Sequence, residues 1–376
     1  MLPAYRVPVL ERLNQRLQGR LVVCHGQPPH ASTTLMDDIQ STFRREFIPN
    51  WWFRESETLH AQPFRHIFEQ YGPPEVVLAE ENPRSLTLPF LLRYARKQGA
   101  GRVLWGIFYS VFRPFSGLHP LQRYRIEMAR RVEACACYTK GVRAALQPYL
   151  PDERLFVAQN TLEMDVLFRL RKQLEKEGKT AVRQRLQLPE EHDILVFVGQ
   201  LIPRKGTQLL LESFAALRAE RPMTLLIIGG GPEREPMEQW VRARNLPDVH
   251  FLGSIPRLED SAPYLYAADV MVLPGYVGLV INHAFGMGLP LVTQHPPGNI
   301  PFHGPEIESL EHGYNGFMVQ RGNFNAFLNA IRLTLKKRTI LSRNAITYAE
   351  QHLTVDHMLD GLVGAISYAA AHRPRS

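Results

Sequence analysis

The feature that most constrains the fold is a regular alternation of short apolar runs and amphipathic stretches between residues 193 and 293. The runs DILVFV, MTLLII, VHFLG, DVMVL and PLVT have the length and composition of strands, and stretches with helical spacing separate them. Strands that alternate with helices predict a parallel sheet that is covered on both faces. This half of the chain therefore predicts a doubly wound α/β domain.

A weaker alternation precedes it. The strand-like runs RLVVCHG, PPEVVLAE, RVLWGIFY and EACACYT are separated by helical stretches, but the chain opens directly with the helical YRVPVLERLNQRL. A domain of this class normally opens with its central strand, so we expect either that this strand is missing or that the true start of the chain lies upstream. We predict two domains, 1–155 and 156–345, and a C-terminal helix within 346–376 that crosses back to the first domain.

Composition sets broad limits on function. The chain has 376 residues, which suits two domains, and a net charge of +8, which favours an anionic partner, although a merely basic surface explains such a charge more often. Three cysteines include a C-A-C pair that matches no zinc or redox spacing, so reduced thiols in the cytosol are predicted. No apolar run reaches the length of a transmembrane helix.

Three loops that follow predicted strands carry the candidate chemistry. In VGQLIPRKGTQ, Arg204 and Lys205 lie where a loop meets a helix N-terminus, which suits phosphate. An exposed basic turn explains the pair equally well. In IIGGGPEREPM, three glycines allow close backbone approach, but the G-x-G-x-x-G pattern is incomplete, and a structural turn is favoured.

The third loop is PGYVGLVINHAFGMGLPLVT, residues 274–293. Gly278 lets the backbone approach a ligand, and a helix that begins near Leu279 and Val280 offers free N–H groups to a diphosphate. His283 follows within the first turns, where a structural role is the usual alternative. Further on, Glu306 is a candidate acceptor for sugar or ribose hydroxyls, or simply an acidic residue at a helix N-terminus.

Taken in order, these pieces resemble glycosyltransferase family 4, which comprises retaining nucleotide-sugar enzymes of GT-B fold. The resemblance covers about 120 to 345 and is carried by VAQNTLEMD, VFVGQLIPRKGTQLLLESF, LLIIGGGPE, VHFLGSI, LYAADVMVLP, GLVINHAFGMGLPLV and HGYNGF. It implies an α/β protein of GT-B fold, with two doubly wound Rossmann-like domains facing a central cleft. The implied activity is a metal-independent, hexosyltransferase-like glycosyl transfer in the biosynthesis of surface polysaccharide, lipopolysaccharide or glycolipid.

The resemblance also implies a site. Its catalytic residues would be Arg204, Lys205 and His283. Its donor-binding residues would be Gly199, Gln200, Gly230, Gly253, Ile255, Gly278, Leu279, Val280 and Glu306. No metal and no cofactor are implied, because a nucleotide sugar is the co-substrate, and the acceptor would be a saccharide or a polyprenyl-linked sugar.

Four positions depart from the family pattern. Gln200 stands where an arginine is usual, Gly275 and His283 stand at the two glutamates of the Glu-x7-Glu motif, and Ile107 replaces a histidine that many members carry. Gly275 matters most, because the resemblance implies a carboxylate beside the donor sugar there. An alternative is a non-catalytic nucleotide-sugar-binding protein of the same fold that partners an active enzyme, and it is favoured by Gly275, Ile107, Gln200 and the absent first strand.

Basic and aromatic residues occur together in the N-terminal half, at 43–55 and 108–125. The first stretch contains Arg44, Arg45, Trp51, Trp52 and Phe53, a mixture that suits an anionic membrane surface. Stacking on single-stranded nucleic acid or burial in a core are the alternatives, and no nucleic-acid-binding module is present to support the first of these. We expect a cytoplasmic protein, peripheral at the inner face of the membrane, with no nucleic-acid partner.

Overall fold

The structure is a computed structural model that describes residues 2–27, 40–53, 59–111, 113, 115, 119–298 and 300–374. Its strands are β1 (Val22–His25), β2 (Arg44–Phe47), β3 (Trp51–Trp52), β4 (His60–Ala61), β5 (Val76–Glu80), β6 (Gly101–Gly106), β7 (Ala134–Cys137), β8 (Leu155–Val157), β9 (Asp193–Val198), β10 (Met223–Ile228), β11 (Val249–Gly253), β12 (Val270–Leu273), β13 (Leu291–His295) and β14 (Gly316–Gln320).

Helices separate most of these strands. They are α1 (Val7–Arg16), α2 (Arg65–Tyr71), α3 (Leu88–Lys97), α4 (Pro120–Arg130), α5 (Lys140–Leu146), α6 (Met164–Glu177), α7 (Lys179–Arg185), α8 (Thr207–Arg218), α9 (Arg234–Ala243), α10 (Leu258–Ala267), α11 (Val280–Gly286), α12 (Phe324–Lys336), α13 (Arg338–His352) and α14 (Val355–Ala371).

The chain divides into two compact units. Unit 1 comprises Met1–Ser110, Phe115–Glu163 and Val355–Ser376, and unit 2 comprises Val111–Pro114 and Met164–Thr354. The main boundary therefore falls after Glu163, where the sequence placed it at residue 155. The C-terminal stretch predicted as one segment is split, because α13 belongs to unit 2 whereas α14 belongs to unit 1.

Unit 2 is a six-stranded parallel sheet with the order β11-β10-β9-β12-β13-β14. Its strands are almost wholly buried, and they are apolar along their whole length because helices cover both faces. Phe197, Phe214, Phe285 and Phe327 are the largest side chains of its core. The strand order reverses between β9 and β12, which is the arrangement expected of a doubly wound fold.

Unit 1 contains a four-stranded parallel sheet with the order β5-β6-β7-β8. A separate parallel pair, β1-β2, and a short antiparallel pair, β3-β4, make no ladder with it in the described ranges. Helix α14 packs on this sheet so closely that Gly101 has no room for a side chain, since a Cβ there would lie 2.7 Å from the carbonyl carbon of Ala369. The pattern of a helix before the first strand, read from the sequence, holds in the structure.

Candidate functional site

Two loops of unit 2 leave the sheet at the point where its strand order reverses. The segment 199–206, with the predicted phosphate-binding pair Arg204 and Lys205, follows β9. The segment 274–280, with the predicted helix N-terminus, follows the neighbouring strand β12. Ligands of doubly wound sheets bind beyond the carboxyl ends of the strands at this switch point. The fold therefore brings the two predicted diphosphate-binding stretches to one place.

Backbone contacts join the two loops. The N–H of Gly275 donates to the carbonyl of Lys205 at 3.0 Å, and the N–H of Tyr276 donates to the carbonyl of Arg204 at 3.0 Å. A Cβ on Gly275 would lie 2.6 Å from the Cα of Lys205, which is impossible without movement of the backbone. The glycine at 275 is therefore required by loop packing, and the carboxylate that the family pattern places there does not fit on this backbone.

Lys205 ends a 3₁₀ turn, Pro203–Lys205, and is half-buried. Its Nζ donates to the carbonyl of Tyr276 at 2.9 Å. Burial, with the nearby charge of Arg204, lowers the pKa of Lys205 to about 8. Among the residues that the structure describes, no carboxylate pairs with this ammonium group. Its charge is therefore available to an anionic ligand.

Tyr276 is the site residue that sequence reasoning missed. The guanidinium of Arg204 lies over its ring, 3.8 Å from the centroid, and Nζ of Lys205 lies 5.0 Å from the same centroid. An aromatic face attracts cations without neutralising them. Tyr276 thus holds two adjacent positive charges in place. The available signal was a single aromatic residue in a glycine-rich loop after a buried strand.

The N-terminus of α11 presents free backbone donors. The N–H groups of Gly278, Leu279 and Val280 make no hydrogen bond with another described residue. His303 fixes the loop that leads into them, because its Nδ1 accepts from the N–H of Val277 at 3.1 Å and its Nε2 donates to the carbonyl of Gln294 at 2.7 Å. Burial lowers the pKa of His303 to about 4, so this imidazole stays neutral.

His283 lies in α11, beyond the free donors. Burial lowers its pKa to about 4, so its imidazole is neutral near pH 7. Its ring makes no hydrogen bond or ion pair within the described ranges. A neutral imidazole offers one donor and one acceptor, which suits a hydroxyl group of a ribose, but it does not offer a positive charge to a diphosphate. The predicted ribose contact fits this state of the ring better than a charge-stabilising role does.

Glu306 is buried in a second 3₁₀ helix, Pro305–Ser309. This turn is attached to the loop after β12, because the N–H of Gly304 donates to the carbonyl of Val277 at 2.8 Å. The hydroxyl of Tyr276 lies 3.0 Å from where a Cβ of Gly304 would be, and the Glu306 carboxylate lies on the same side. The structure thus brings Glu306 next to Tyr276. No group of three or more metal-ligating side chains occurs in the ranges described.

The three glycines 229–231, which follow β10, pack against the segment 199–206, which follows β9. A Cβ on Gly229, whose φ is 147°, would lie 2.9 Å from the carbonyl carbon of Gly199. The N–H of Leu201 donates to the carbonyl of Gly230 at 2.8 Å. Glycine is needed here because two backbones touch. The triple glycine therefore serves loop-on-loop packing.

The remaining predicted donor-binding residues lie around this centre. Gly253 has a φ of 74°, and its carbonyl accepts from the N–H of Gly229 at 2.8 Å. Ile255 packs partly against the core, and Gln200 is exposed. These contacts place the three residues at the carboxyl ends of β9 and β11, on the same edge of the sheet as Lys205. Their roles in binding stay predictions.

Unit 1 holds a buried carboxylate that sequence reasoning also missed. Glu81 follows β5 and accepts from Nη1 of Arg125 at 2.8 Å and from the N–H of Phe108 at 3.2 Å. Burial raises the pKa of Glu81 to about 7. Phe108 has a left-handed φ of 53° and directly follows Ile107. The ion pair therefore fixes the backbone at the position where the family pattern has a histidine.

The aromatic and basic stretch of unit 1 is largely exposed. Phe47, Trp51 and Phe53 are 56%, 58% and 45% exposed, and Arg44 and Arg45 are exposed beside them. Trp52 is half-buried. Residues 54–55 of the first stretch and 112, 114 and 116–118 of the second lie outside the described residues. None of the described helices is long and apolar enough to cross a membrane.

Residues 192–337 match the profile of the family described as Glycosyl transferases group 1. The D-inositol 3-phosphate glycosyltransferase of Geodermatophilus obscurus is 29% identical over 206 residues, which are 51% of this chain and 44% of that protein. The lipopolysaccharide core biosynthesis glycosyltransferase LpsE of Rhizobium meliloti is 27% identical over 43% of this chain and 45% of that protein. The chain thus spans less than half the length of these two relatives.

The N-acetyl-alpha-D-glucosaminyl L-malate synthase of Bacillus anthracis is 28% identical over 298 residues, which are 73% of this chain and 72% of that protein. Among solved structures, HepE of Anabaena in complex with UDP has a TM-score of 0.64 at 18% identity and covers 96% of this chain and 95% of its own. Sucrose-phosphate synthase from Thermosynechococcus elongatus has a TM-score of 0.67 at 16% identity, with 96% of this chain and 92% of its own covered. Residues 192–337 therefore match the group 1 glycosyl transferases, and the chain has the GT-B fold, as the family 4 resemblance of its sequence predicted.

Proposed function

We propose that this protein is a retaining glycosyltransferase that moves a sugar from a nucleotide-sugar donor to a saccharide or lipid-linked acceptor. One observation carries the proposal: Lys205, Arg204 and three free N–H groups meet at the switch point of unit 2, where Gly275 leaves no room for an acid. An ammonium group without a carboxylate partner, beside a guanidinium group and oriented amides, forms a site for a diphosphate.

The reaction needs little side-chain chemistry beyond this. The bond between the anomeric carbon and the diphosphate oxygen breaks, and the acceptor oxygen bonds to that carbon on the same face. The proton of the acceptor hydroxyl passes to the departing phosphate oxygen. Lys205, Arg204 and the N–H groups of Gly278 to Val280 stabilise the charge that develops on the leaving diphosphate. His283 and Glu306 bind hydroxyl groups of the donor.

The printed names of relatives support the substrate classes. HepE binds UDP and UDP-glucose in its solved structures, which favours a uridine diphosphate donor here. LpsE acts in lipopolysaccharide core biosynthesis, and two further relatives are named for D-inositol 3-phosphate and for L-malate as partners of the sugar. We therefore infer a role in the biosynthesis of surface polysaccharide, lipopolysaccharide or another glycoconjugate.

A donor screen tests the proposal. Purified protein is incubated with a panel of nucleotide sugars, and donor hydrolysis and transfer are measured alongside UDP binding. We expect at least one donor to be turned over. The double variant Arg204→Ala/Lys205→Ala should lose turnover. Lys179→Ala should retain it, because Lys179 pairs with Asp269 at the amino-terminal ends of the strands. If no nucleotide sugar binds at millimolar concentration, the proposal is wrong.

The second candidate is a non-catalytic nucleotide-sugar-binding partner of an active enzyme. It is favoured by Gln200 and Ile107, which replace charged or titratable residues of the family pattern. The same screen separates the two, because a non-catalytic partner binds the donor through Lys205 and Arg204 but turns over no donor.

We further propose that unit 1 contacts an anionic membrane surface through Phe47, Trp51 and Phe53 with Arg44 and Arg45. Exposed aromatic rings beside arginines suit the headgroup region of a bilayer. Flotation with anionic liposomes at low salt should recover the protein, and the variant Trp51→Ser/Phe53→Ser should stay unbound. Phe90→Ser is the matched control, because Phe90 is 66% exposed on α3 and is not part of the stretch. Absence of wild-type flotation would remove this part of the proposal.

A further inference from the structure

A cluster of four side chains lies at the carboxyl ends of β6, β7 and β8 in unit 1. Trp105 is near the end of β6, Tyr138 directly follows β7, and Asn160 follows β8. These strands are neighbours in a parallel sheet, so their ends share one edge, the edge at which such sheets bind ligands. Arg6, which precedes α1, reaches into the middle of this cluster.

The contacts of Arg6 are all with uncharged groups. Its Nη2 donates to Oδ1 of Asn160 at 2.7 Å and to the hydroxyl of Tyr138 at 3.3 Å. Its guanidinium stacks on Trp105, with Cζ 4.6 Å from the ring centroid. Only 8% of Arg6 is exposed, and its Nη1 is buried without a hydrogen bond. Nε1 of Trp105 is also a buried donor without an acceptor.

The other buried arginines show that this is exceptional. Each of them pairs with a carboxylate: Arg102 with Glu133, Arg125 with Glu81, Arg171 with Glu175 and Glu350, and Arg183 with Asp269. In the part of the chain that the structure describes, Arg6 is the buried arginine without such a partner. A buried, unpaired charge is costly, so a partner from outside the chain is expected to complete it.

We propose that Arg6 binds an oxyanion, a carboxylate or a phosphate, carried by the acceptor. The unused Nη1 supplies the charge-assisted hydrogen bond, for which the guanidinium fork is suited, and Nε1 of Trp105 supplies a second donor. Tyr5, whose ring lies 5.4 Å from Cζ of Arg6 and which is 43% exposed, is the neighbour that moves aside to admit the anion. The assignment of the anion to the acceptor rests on the proposed transferase function, whereas the site itself does not.

Calorimetric titration of the full chain tests the proposal. The probes are inorganic phosphate, L-malate and myo-inositol 3-phosphate. Uncharged myo-inositol is the control ligand, because it lacks only the phosphate. We expect the wild type to bind an anionic probe and not myo-inositol, and the response to phosphate or to malate identifies the type of oxyanion. Arg6→Gln should weaken that binding about tenfold to a hundredfold, because a hydrogen bond to a charged group is lost.

Arg16→Gln is the matched control. Arg16 ends α1, which begins directly after Arg6, but it already pairs with Asp356 and Asp360, so its loss should leave anion binding unchanged. If Arg6→Gln does not fold, Arg6→Lys keeps the charge and should bind the anion with reduced affinity. Equal binding of the anionic and neutral probes, or wild-type affinity in the Arg6 variants, would overturn the proposal. UDP binding is measured in parallel: a protein that binds UDP but no anionic probe refutes the Arg6 site alone, and one that binds the anion but no donor refutes only the transferase function.

Discussion

The amino-terminal and carboxyl-terminal ends of the six parallel strands in unit 2 differ in how their cations are paired. We call these two sides of the sheet its amino-terminal edge and its carboxyl edge. At the amino-terminal edge, Asp269 accepts from Nζ of Lys179 at 2.8 Å, from Nη2 of Arg183 at 2.7 Å and from the N–H of Ile194 at 2.8 Å. At the carboxyl edge, Nζ of Lys205 is held by a neutral carbonyl at 2.9 Å. The buried cations at one end of the sheet thus share a carboxylate, whereas Lys205 at the other end has none among the described residues.

The difference shows how stability and binding are separated in this unit. The carboxylate of Asp269 ties α7 to the start of β9, and both of its oxygens accept hydrogen bonds there. At the carboxyl ends of the strands, the ring of Tyr276 holds Arg204 and Lys205, and its carbonyl holds Lys205, so Lys205 is positioned without a carboxylate among the described residues. Substitutions at the first edge should therefore change stability, and those at the second should change binding and turnover.

The largest effect is expected for Asp269→Ala. It would leave the buried Arg183 without its carboxylate, and breaking a buried pair in this way costs about 3–5 kcal/mol. Urea unfolding should show this loss, while UDP affinity measured where the variant is still folded should be unchanged. Asp260→Ala, which removes an exposed carboxylate 3.8 Å from Arg257, should change stability little. A large loss of UDP affinity in folded Asp269→Ala would break the comparison.

Lys205→Met should lower turnover and leave the free energy of unfolding intact, the reverse of Asp269→Ala. Removal of a donor that stabilises a developing oxyanion lowers kcat about 10²- to 10³-fold, which corresponds to roughly 2.7–4 kcal/mol. The free energy of unfolding should stay level or rise, because a half-buried charge without a carboxylate is replaced by an apolar chain of similar length. Steady-state kinetics and urea unfolding check the two halves. Lys179→Met, which removes the carboxylate-paired lysine at the amino-terminal end of the sheet, should lower the free energy of unfolding and leave kcat unchanged.

Much of this arrangement could be predicted from the sequence. Five of the six strands of unit 2, β9 to β13, are the apolar runs identified in the sequence, and each loop of interest directly follows one of them; β14 was not predicted. The short strands β2, β3 and β4 could not be predicted, because two-residue strands and the polar RREF carry no periodicity. Their pairing depends on contacts that are made only after the chain has folded.

The candidate site was predictable in its members but not in its contacts. Arg204, Lys205 and the start of α11 stand in strand-end loops, where phosphate-binding groups are expected. The approach of Gly275 to Lys205 joins residues about 70 positions apart, so the sequence showed only a missing carboxylate. The stacking of Arg204 on Tyr276 and the position of Arg6 among neutral groups are also tertiary contacts, which the sequence alone does not show.

Gly275→Ala tests whether the close packing of the two loops positions Lys205 for binding. The added Cβ would meet the backbone of Lys205 at 2.6 Å, and such overpacking costs about 1–3 kcal/mol. UDP affinity should fall as well, because the loops must separate and the carbonyl of Tyr276 then moves away from Lys205. Gly230→Ala is the control for the loss of stability alone, since its Cβ would meet only the hydroxyl of Ser254 at 3.1 Å. A Gly275→Glu variant that gained activity at unchanged stability would contradict the conclusion that loop packing requires glycine at position 275.

The smallest effect, and the most specific, is expected from pH. The pKa of Lys205 is lowered from 10.5 to about 8, mainly by burial. Above pH 8 the free protein therefore loses this charge, and UDP affinity should fall by up to about tenfold, or 1.4 kcal/mol, for each further pH unit. Phosphate is already ionised in this range, because its second pKa is about 6.

Stability should move in the other direction over the same interval. Between pH 8 and 10.5 the unfolded chain holds a proton on Lys205 that the folded protein has released, so Lys205 makes the free energy of unfolding increase with pH. Lys205→Arg is the control, because a guanidinium keeps its charge throughout and should give a flat affinity profile. Calorimetric titration of UDP from pH 7 to 9 measures the slope. If the UDP affinity of the wild type were as independent of pH as that of Lys205→Arg, the charge of Lys205 would not bind the diphosphate. The two ends of the sheet would then differ in ion pairing but not in ligand binding.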